Sequence, residues 1–190
     1  MRHLDRRPVV VALAGSNGAG KTTLFETQLR PTGLRFLNAD LIARELEVDG
    51  YEAARIVTAL RTELVAQGES FVFETVFSDP VRDKLEFLRR TARAGYAVVL
   101  IFIGIPDAEI SQQRVWIRAS QGGHDVPAEK LIARFPRTLA NLAAAIDELP
   151  CVLVFDNSDL RVPFRHVAVF ENGRTLRLTE PVPSWLQSVL

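Results

Sequence analysis

The chain of 190 residues has one cysteine, three histidines and no excess of either charge, and each scarcity removes a class of protein. A single thiol, Cys151, excludes an internal disulfide, and its place in "CVLVF" predicts a small core residue. His3, His124 and His166 stand far apart without ligand spacing, which argues against a zinc centre. With 23 basic and 23 acidic residues, nothing global attracts the chain to nucleic acid or to an anionic membrane. Any anion site must therefore be built locally. The first apolar run, "PVVVALA", is far too short to span a membrane and flows into a glycine-rich loop without a cleavage site. A cytoplasmic protein is the expectation. Repeats, low-complexity tracts and linkers are also missing.

What is present is an alternation of short apolar runs and amphipathic stretches. "VVVALA" (9–14), "RFLNAD" (35–40), "SFVFET" (70–75), "YAVVLIFIG" (96–104) and "CVLVFDNSD" (151–159) read as strands, with helical periods between them. The stretch 52–68 has a helical period and a glycine stop, and 79–95 opens on Asp-Pro and closes on Gly95. Residues 106–121 and the long stretch from Pro127 predict two further helices around the turn-rich "GGHDVP", the second with a bend at Pro136. Asn172-Gly173 between two alternating runs predicts a hairpin over about 164–179. The expected fold is a three-layer α/β sandwich with a parallel sheet, of the P-loop NTPase and kinase type. It forms one domain over 1–190, with a helical lid near 106–137. Trp116 and the phenylalanines are expected in the core, and His124 in an exposed loop.

"GSNGAGKTTL" carries the clearest chemistry. The spacing Gly15-x-x-x-x-Gly20-Lys21-Thr22 is that of a phosphate-binding P-loop between a strand and a helix. Gly15, Gly18 and Gly20 allow the backbone of Gly15, Ser16, Asn17, Gly18, Ala19 and Gly20 to turn its N–H groups toward a nucleotide's phosphates. Lys21 supplies charge to the β- and γ-phosphates, the Thr22 hydroxyl suits Mg²⁺, and Thr23 belongs to the same helix start, whose dipole favours anions. The bland alternative is a flexible turn with a surface lysine. Asn157, in "DNS" after the last parallel strand, stands where a P-loop kinase holds adenine, or in a plain turn.

The strongest apolar strand, "VVLIFIG", lacks the acid that many P-loop NTPases place there. Instead Asp40 closes "RFLNAD" and Glu74 closes "SFVFE", which brings two carboxylates to the sheet edge where the P-loop opens. One of them would take a proton from an acceptor hydroxyl, and the other would bind the acceptor or hydrated magnesium. Asp40 also fits a helix cap, and Glu74 a structural ion pair. Arg114 and Arg118 lie four apart on one predicted helix, and Arg134 and Arg137 three apart on the next, as in a phosphate-clamping lid. A solvated basic face is the plain alternative for any one of them.

"GSNGAGKTTL", "FLNADLIA", "FVFETVFSD", "RVWIRASQGGHDVP", "ARFPRTLANL" and "VFDNSD", in this order, resemble the zeta toxin family of P-loop kinases from about Val9 to Asp159. The resemblance implies transfer of phosphate from ATP, with Mg²⁺, to a sugar hydroxyl of a UDP-N-acetylglucosamine-type acceptor. It implies Lys21 and Thr22 on ATP–Mg²⁺, Asp40 as base, and Glu74 with its neighbour Thr75 on the acceptor. Arg118 and Arg134 match the lid arginines best, with Arg114 and Arg137 as alternates or acceptor contacts. The chain lacks the longer substrate-binding insertions of larger members. It begins at its first strand, so no fused antitoxin is expected ahead of it, and a separate antitoxin protein is left open as a partner. A nucleic-acid 5′-end kinase and an ATP-dependent switch without an acceptor are the competing readings. Zero net charge weighs against the first.

Overall fold

Val9–Ala14 is buried at every position, which requires a strand covered on both faces. The computed structural model describes residues 4–121 and 126–190, and that strand, β1, lies in the middle of its sheet. The other strands are β2 (Arg35–Leu37), β3 (Phe71–Thr75), β4 (Ala97–Gly104), β5 (Cys151–Asp156), β6 (Arg165–Glu171) and β7 (Arg174–Leu178). They are ordered β2-β3-β1-β4-β5-β6-β7. The first five run parallel, and β6 and β7 add an antiparallel hairpin through Asn172-Gly173. The sheet is therefore mixed, with its parallel part where the sequence predicts it.

Alternate residues of each central strand enter different cores. Val10, Ala12, Phe71, Phe73, Leu100 and Val154 face one side, packed by α3 (Gly50–Ala66), α4 (Asp83–Arg93) and α6 (Ala128–Glu148). Val9, Val11, Leu13, Ile101 and Leu153 face the other. There Leu24, Phe25 and Leu29 cover them from α1 (Lys21–Leu24) and the π-helical turn Phe25–Leu29 that continues it. Phe25 stacks on Phe36 with centroids 3.8 Å apart. The remaining helices are α2 (Ala39–Leu46), α5 (Ala108–Ser120) and the short α7 (Ser184–Gln187).

Several local expectations shift. The helix expected from Asp79 starts at Asp83 instead, because Arg82 at φ 55 breaks the helical run. Residues 76–82 thereby form a loop beside the sheet edge. Pro136 lies inside α6, which runs unbroken from Ala128 to Glu148. Trp116 is 72% exposed and so is no core residue, whereas most of the phenylalanines are buried. Cys151 is buried as expected, and burial holds its thiol protonated by raising the pKa to about 12. The Gly122–Asp125 part of the turn-rich break, with His124, lies outside the described residues, as does His3.

The chain's tail packs back on the sheet. Trp185 donates its indole N–H to Asp156 Oδ1 at 2.9 Å, and its ring occupies the space a side chain at Gly104 would need. A Cβ added at Gly104 would lie 2.1 Å from that ring. Gly104→Ala is expected to destabilise the fold by about 1–3 kcal/mol through overpacking. A lowered urea midpoint at constant slope is the expected result, and an unchanged midpoint would rule out this packing.

Candidate active site

All the chemistry collects at the carboxyl ends of the parallel strands. In the pairing of β1 with β3, Leu13 lies opposite Glu74 and Ala14 opposite Thr75. The register therefore sets Glu74 and Thr75 level with the start of the P-loop. Gly15 adopts φ 146, and a Cβ there would sit 2.3 Å from the Ile103 carbonyl oxygen, so no other residue fits the turn out of β1. Gly20 adopts φ 96 against Asn157 and Phe164. Asn157, 4% exposed, donates from Nδ2 to the Ala19 carbonyl at 2.9 Å. It thus braces the loop from behind.

Lys21 is 6% exposed and donates to the carbonyls of Gly15 and Ser16, each at 3.0 Å. Its Nζ also lies 3.6 Å from Glu74 Oε1. Burial lowers the Lys21 pKa, opposed by Glu74 and then Asp40, while Arg118 adds to the lowering. The other carboxylate oxygen of Glu74 accepts from Thr22 Oγ1 at 2.9 Å and from Asn38 Nδ2 at 2.7 Å. Glu74 thus joins three elements: the P-loop helix, the end of β2 and its own strand. A hydroxyl and a carboxylate side by side are hard oxygen donors suited to Mg²⁺, which takes one or two protein ligands and completes its shell with water and phosphate.

Asn38, which sequence reasoning did not single out, also caps α2. Its Oδ1 accepts from the backbone N–H of Asp40 at 2.8 Å and of Leu41 at 3.1 Å. The capping role open to Asp40 thus belongs to Asn38, and the Asp40 carboxylate stands exposed in the first helical turn. The signal was present: an asparagine before an amphipathic helix is a favoured cap.

A cleft of about 730 Å³ opens in front of these residues. Lys21, Asp40, Glu74, Thr75, Arg118, Arg134 and Arg137 all line it, so α5 and α6 bring three of the four lid arginines to one space. Arg114 is placed differently. Its guanidinium donates to the carbonyls of Gly18 at 3.4 Å and Asn157 at 3.0 Å, tying α5 to the P-loop and to the end of β5. Burial lowers its pKa, and Asp156 opposes the shift. Ser111 of the same helix donates to the Asn17 carbonyl at 2.7 Å. Ser16 is buried in the loop, and Thr23 is exposed on α1 away from the cleft lining.

The cleft's far wall is the loop after β3. Phe77 holds φ 61 with its ring buried. Thr75 Oγ1 accepts its N–H at 3.0 Å, and Asn141 Nδ2 on α6 donates to the carbonyls of Phe77 at 2.9 Å and Asp79 at 3.0 Å. At the mouth, Lys130 Nζ lies 5.8 Å from the Tyr51 ring centroid, bridging α6 to α3. No group of three His, Cys, Asp or Glu side chains that could hold a metal ion by itself occurs among the described residues. None of their helices is long and apolar enough to cross a membrane.

A P-loop after the first strand, Glu74 at the end of β3, Asp40 in the first turn of α2 and arginines on two further helices define a P-loop fold of the kinase type. The zeta toxin family model matches residues 43–166, and the chain belongs to that family. The match starts after the P-loop, whose assignment rests on its own spacing and geometry. Among solved structures, the AvrRxo1-ORF1:-ORF2 complex with ATP contains a similar chain (TM-score 0.71, 17% identity), with 91% of this chain and 61% of that one covered. The PezAT chromosomal toxin–antitoxin system of Streptococcus pneumoniae contains another (TM-score 0.60, 19% identity), covering 84% of this chain and 70% of that one. At these identities the likeness is one of fold. The chain spans about three fifths of the AvrRxo1 chain (61%). A search of curated proteins found no match.

Gly15→Ala is expected to lower affinity for a non-hydrolysable ATP analogue by more than about tenfold, since the added methyl displaces the loop from the phosphate position. Calorimetric titration is the measurement, and wild-type affinity in the variant would contradict the loop's assignment.

Proposed function

We propose that the protein is an ATP- and Mg²⁺-dependent phosphotransferase that phosphorylates a hydroxyl of a small molecule, with a UDP-N-acetylglucosamine-type nucleotide sugar as the leading acceptor. One observation carries this reading. Asp40, Glu74, Lys21 and the arginines 118, 134 and 137 line a single cleft wide enough for an acceptor beside the P-loop. A switch needs no second compartment of this size. Membership of the zeta toxin family supports the acceptor class.

In this mechanism the P-loop amides and Lys21 hold the β- and γ-phosphates. The acceptor hydroxyl lies in line with the bond to the leaving ADP. Its oxygen bonds to the γ-phosphorus as the β–γ bridging bond breaks, and its proton passes to the Asp40 carboxylate, which stands exposed at the cleft. Lys21 and the guanidinium groups of Arg118 and Arg134 stabilise the charge on the transferring phosphoryl group. Arg137 and Thr75 orient the acceptor. Thr22, with Glu74 beside it, would hold Mg²⁺, which would further neutralise the phosphates when bound. Asn157 keeps the P-loop in its binding shape. Glu74 shares its oxygens with Thr22 and Asn38, so it sets the spacing between the phosphate and acceptor sides.

A separate antitoxin protein is the proposed partner. The PezAT structure is described as a toxin–antitoxin system, and AvrRxo1-ORF1 was crystallised with ORF2.

The test is mass spectrometry of UDP-N-acetylglucosamine incubated with protein, ATP and Mg²⁺. A product heavier by one phosphoryl group is expected. Asp40→Asn should slow its formation by about 10²–10⁴-fold and leave ATP affinity nearly unchanged. Wild-type turnover in the variant would remove Asp40 from the role of base. Slow ATP hydrolysis indifferent to every acceptor would favour the switch reading, and salt-sensitive labelling of oligonucleotide 5′ ends the nucleic-acid reading.

A further inference from the structure

Arg61 is the most unusual charge in the molecule. It sits on α3 in line with Ala53, Val57 and Leu64, the helix's buried stripe, and is only 3% exposed. Its guanidinium carbon lies 4.7 Å from the centroid of the Phe73 ring and 4.7 Å from that of Phe87, and these rings meet edge to face with centroids 5.8 Å apart, so the cation sits in the corner between them. There, one NH2 donates to Thr58 Oγ1 at 3.2 Å, while Nε–H has no hydrogen-bond partner. Arg61 and Thr58 both line the proposed acceptor cleft.

The neighbouring carboxylates do not complete this arginine. Asp83 and Asp79 act on it at longer range, and no ion pair joins either to Arg61 among the described residues. Lys84 engages both instead, with Nζ 3.8 Å from Asp79 Oδ2 and 3.8 Å from Asp83 Oδ2. A buried cation without a hydrogen-bonded anion is unfavourable unless something else supplies one. The cleft as a whole points the same way. Its lining holds seven basic side chains against four carboxylates, in a chain whose overall charge is zero.

We propose that Arg61 is a specificity-determining residue of the acceptor cleft, and that it pairs with an anionic group, carboxylate or phosphate, carried by the acceptor beyond the hydroxyl that is phosphorylated. The proposal rests on the reading of this cleft as the acceptor side of a kinase. The two rings enclose the guanidinium on adjacent sides and its Nε–H stays unpaired, and an arginine fork with a free donor suits a planar carboxylate or two phosphate oxygens. An uncharged sugar would leave that cation without an anion. Arg61 thus provides selection for acidic acceptors at a point separate from the P-loop and from Asp40.

The experiment is calorimetric titration of protein already saturated with a non-hydrolysable ATP analogue and Mg²⁺, so that the P-loop cannot take the probe. The probes are N-acetylglucosamine, its 1-phosphate, glucuronate and UDP-N-acetylglucosamine. At least one of the three charged probes is expected to bind wild type about tenfold or more tightly than the neutral sugar. The 1-phosphate and glucuronate arms then tell phosphate from carboxylate. Arg61→Gln should erase the preference while ATP-analogue affinity stays at its wild-type value. Arg61→Lys keeps the charge without the planar fork and should keep a reduced preference, which serves if the glutamine variant does not fold. Equal or undetectable binding of charged and neutral probes to wild type would overturn the proposal. So would a full preference in either variant. Phosphoryl transfer is scored separately on the same probes, so binding without transfer would count against the kinase reading and leave Arg61's role standing.

Discussion

A lysine ammonium enclosed at 6% exposure, held by two backbone carbonyls and one carboxylate, is the arrangement on which the rest of this structure depends. Burial works against its charge, so the surroundings must keep it protonated and in place. The carbonyls of Gly15 and Ser16 come from the tight loop, which only glycine at position 15 permits. Glu74 comes from the next strand over, at a height fixed by the parallel register of β1 and β3. The carboxylate in turn is shared with Thr22 and Asn38. One ion pair therefore ties together loop, helix start and two strand ends. Phosphates arriving at the loop would draw the lysine from the carbonyls, with Glu74 still held by Thr22 and Asn38.

Around this centre the fold provides rigid walls. Asn157 and Arg114 brace the P-loop from β5 and α5, and Asn141 and Thr138 on α6 hold the loop after β3. The same helix carries Arg134 and Arg137, so one element supplies both the anchors of the wall and two of the cleft's arginines. A bend at Pro136 would separate Arg134 from Arg137 and from Thr138 and Asn141, which hold the cleft's far wall.

The layout was legible in the sequence where spacing and pattern act locally. The P-loop, the five parallel strands, the hairpin at Asn172-Gly173 and Glu74 at the end of β3 each follow from a short stretch read alone, whereas the strand expected over 35–40 stops at Leu37 and leaves Asp40 in the first turn of α2. What was hidden depends on tertiary position. Asp40 and Asn38 compete for the same cap, and only the backbone shows that Asn38 wins. Arg114 and Arg118 look equivalent at four-residue spacing, yet one turns to backbone carbonyls and the other to the cleft. Arg61 carried a readable sign, a charge on the apolar stripe of a helix, but its two aromatic neighbours come from β3 and α4 and appear only when the sheet is assembled. Trp116 failed because aromaticity predicts burial only on average.

In the proposed mechanism Glu74, which contacts Lys21, Thr22 and Asn38, joins the phosphate, Mg²⁺ and acceptor sides in one network. The most direct test of this claim is calorimetry of ATP-analogue binding with and without Mg²⁺ in wild type and in Glu74→Gln. The wild type should bind more tightly with Mg²⁺, and the variant should lose most of that gain while keeping its metal-free affinity. An identical Mg²⁺ dependence in the two proteins would contradict the claim, leaving Glu74 as a structural partner of Lys21 alone.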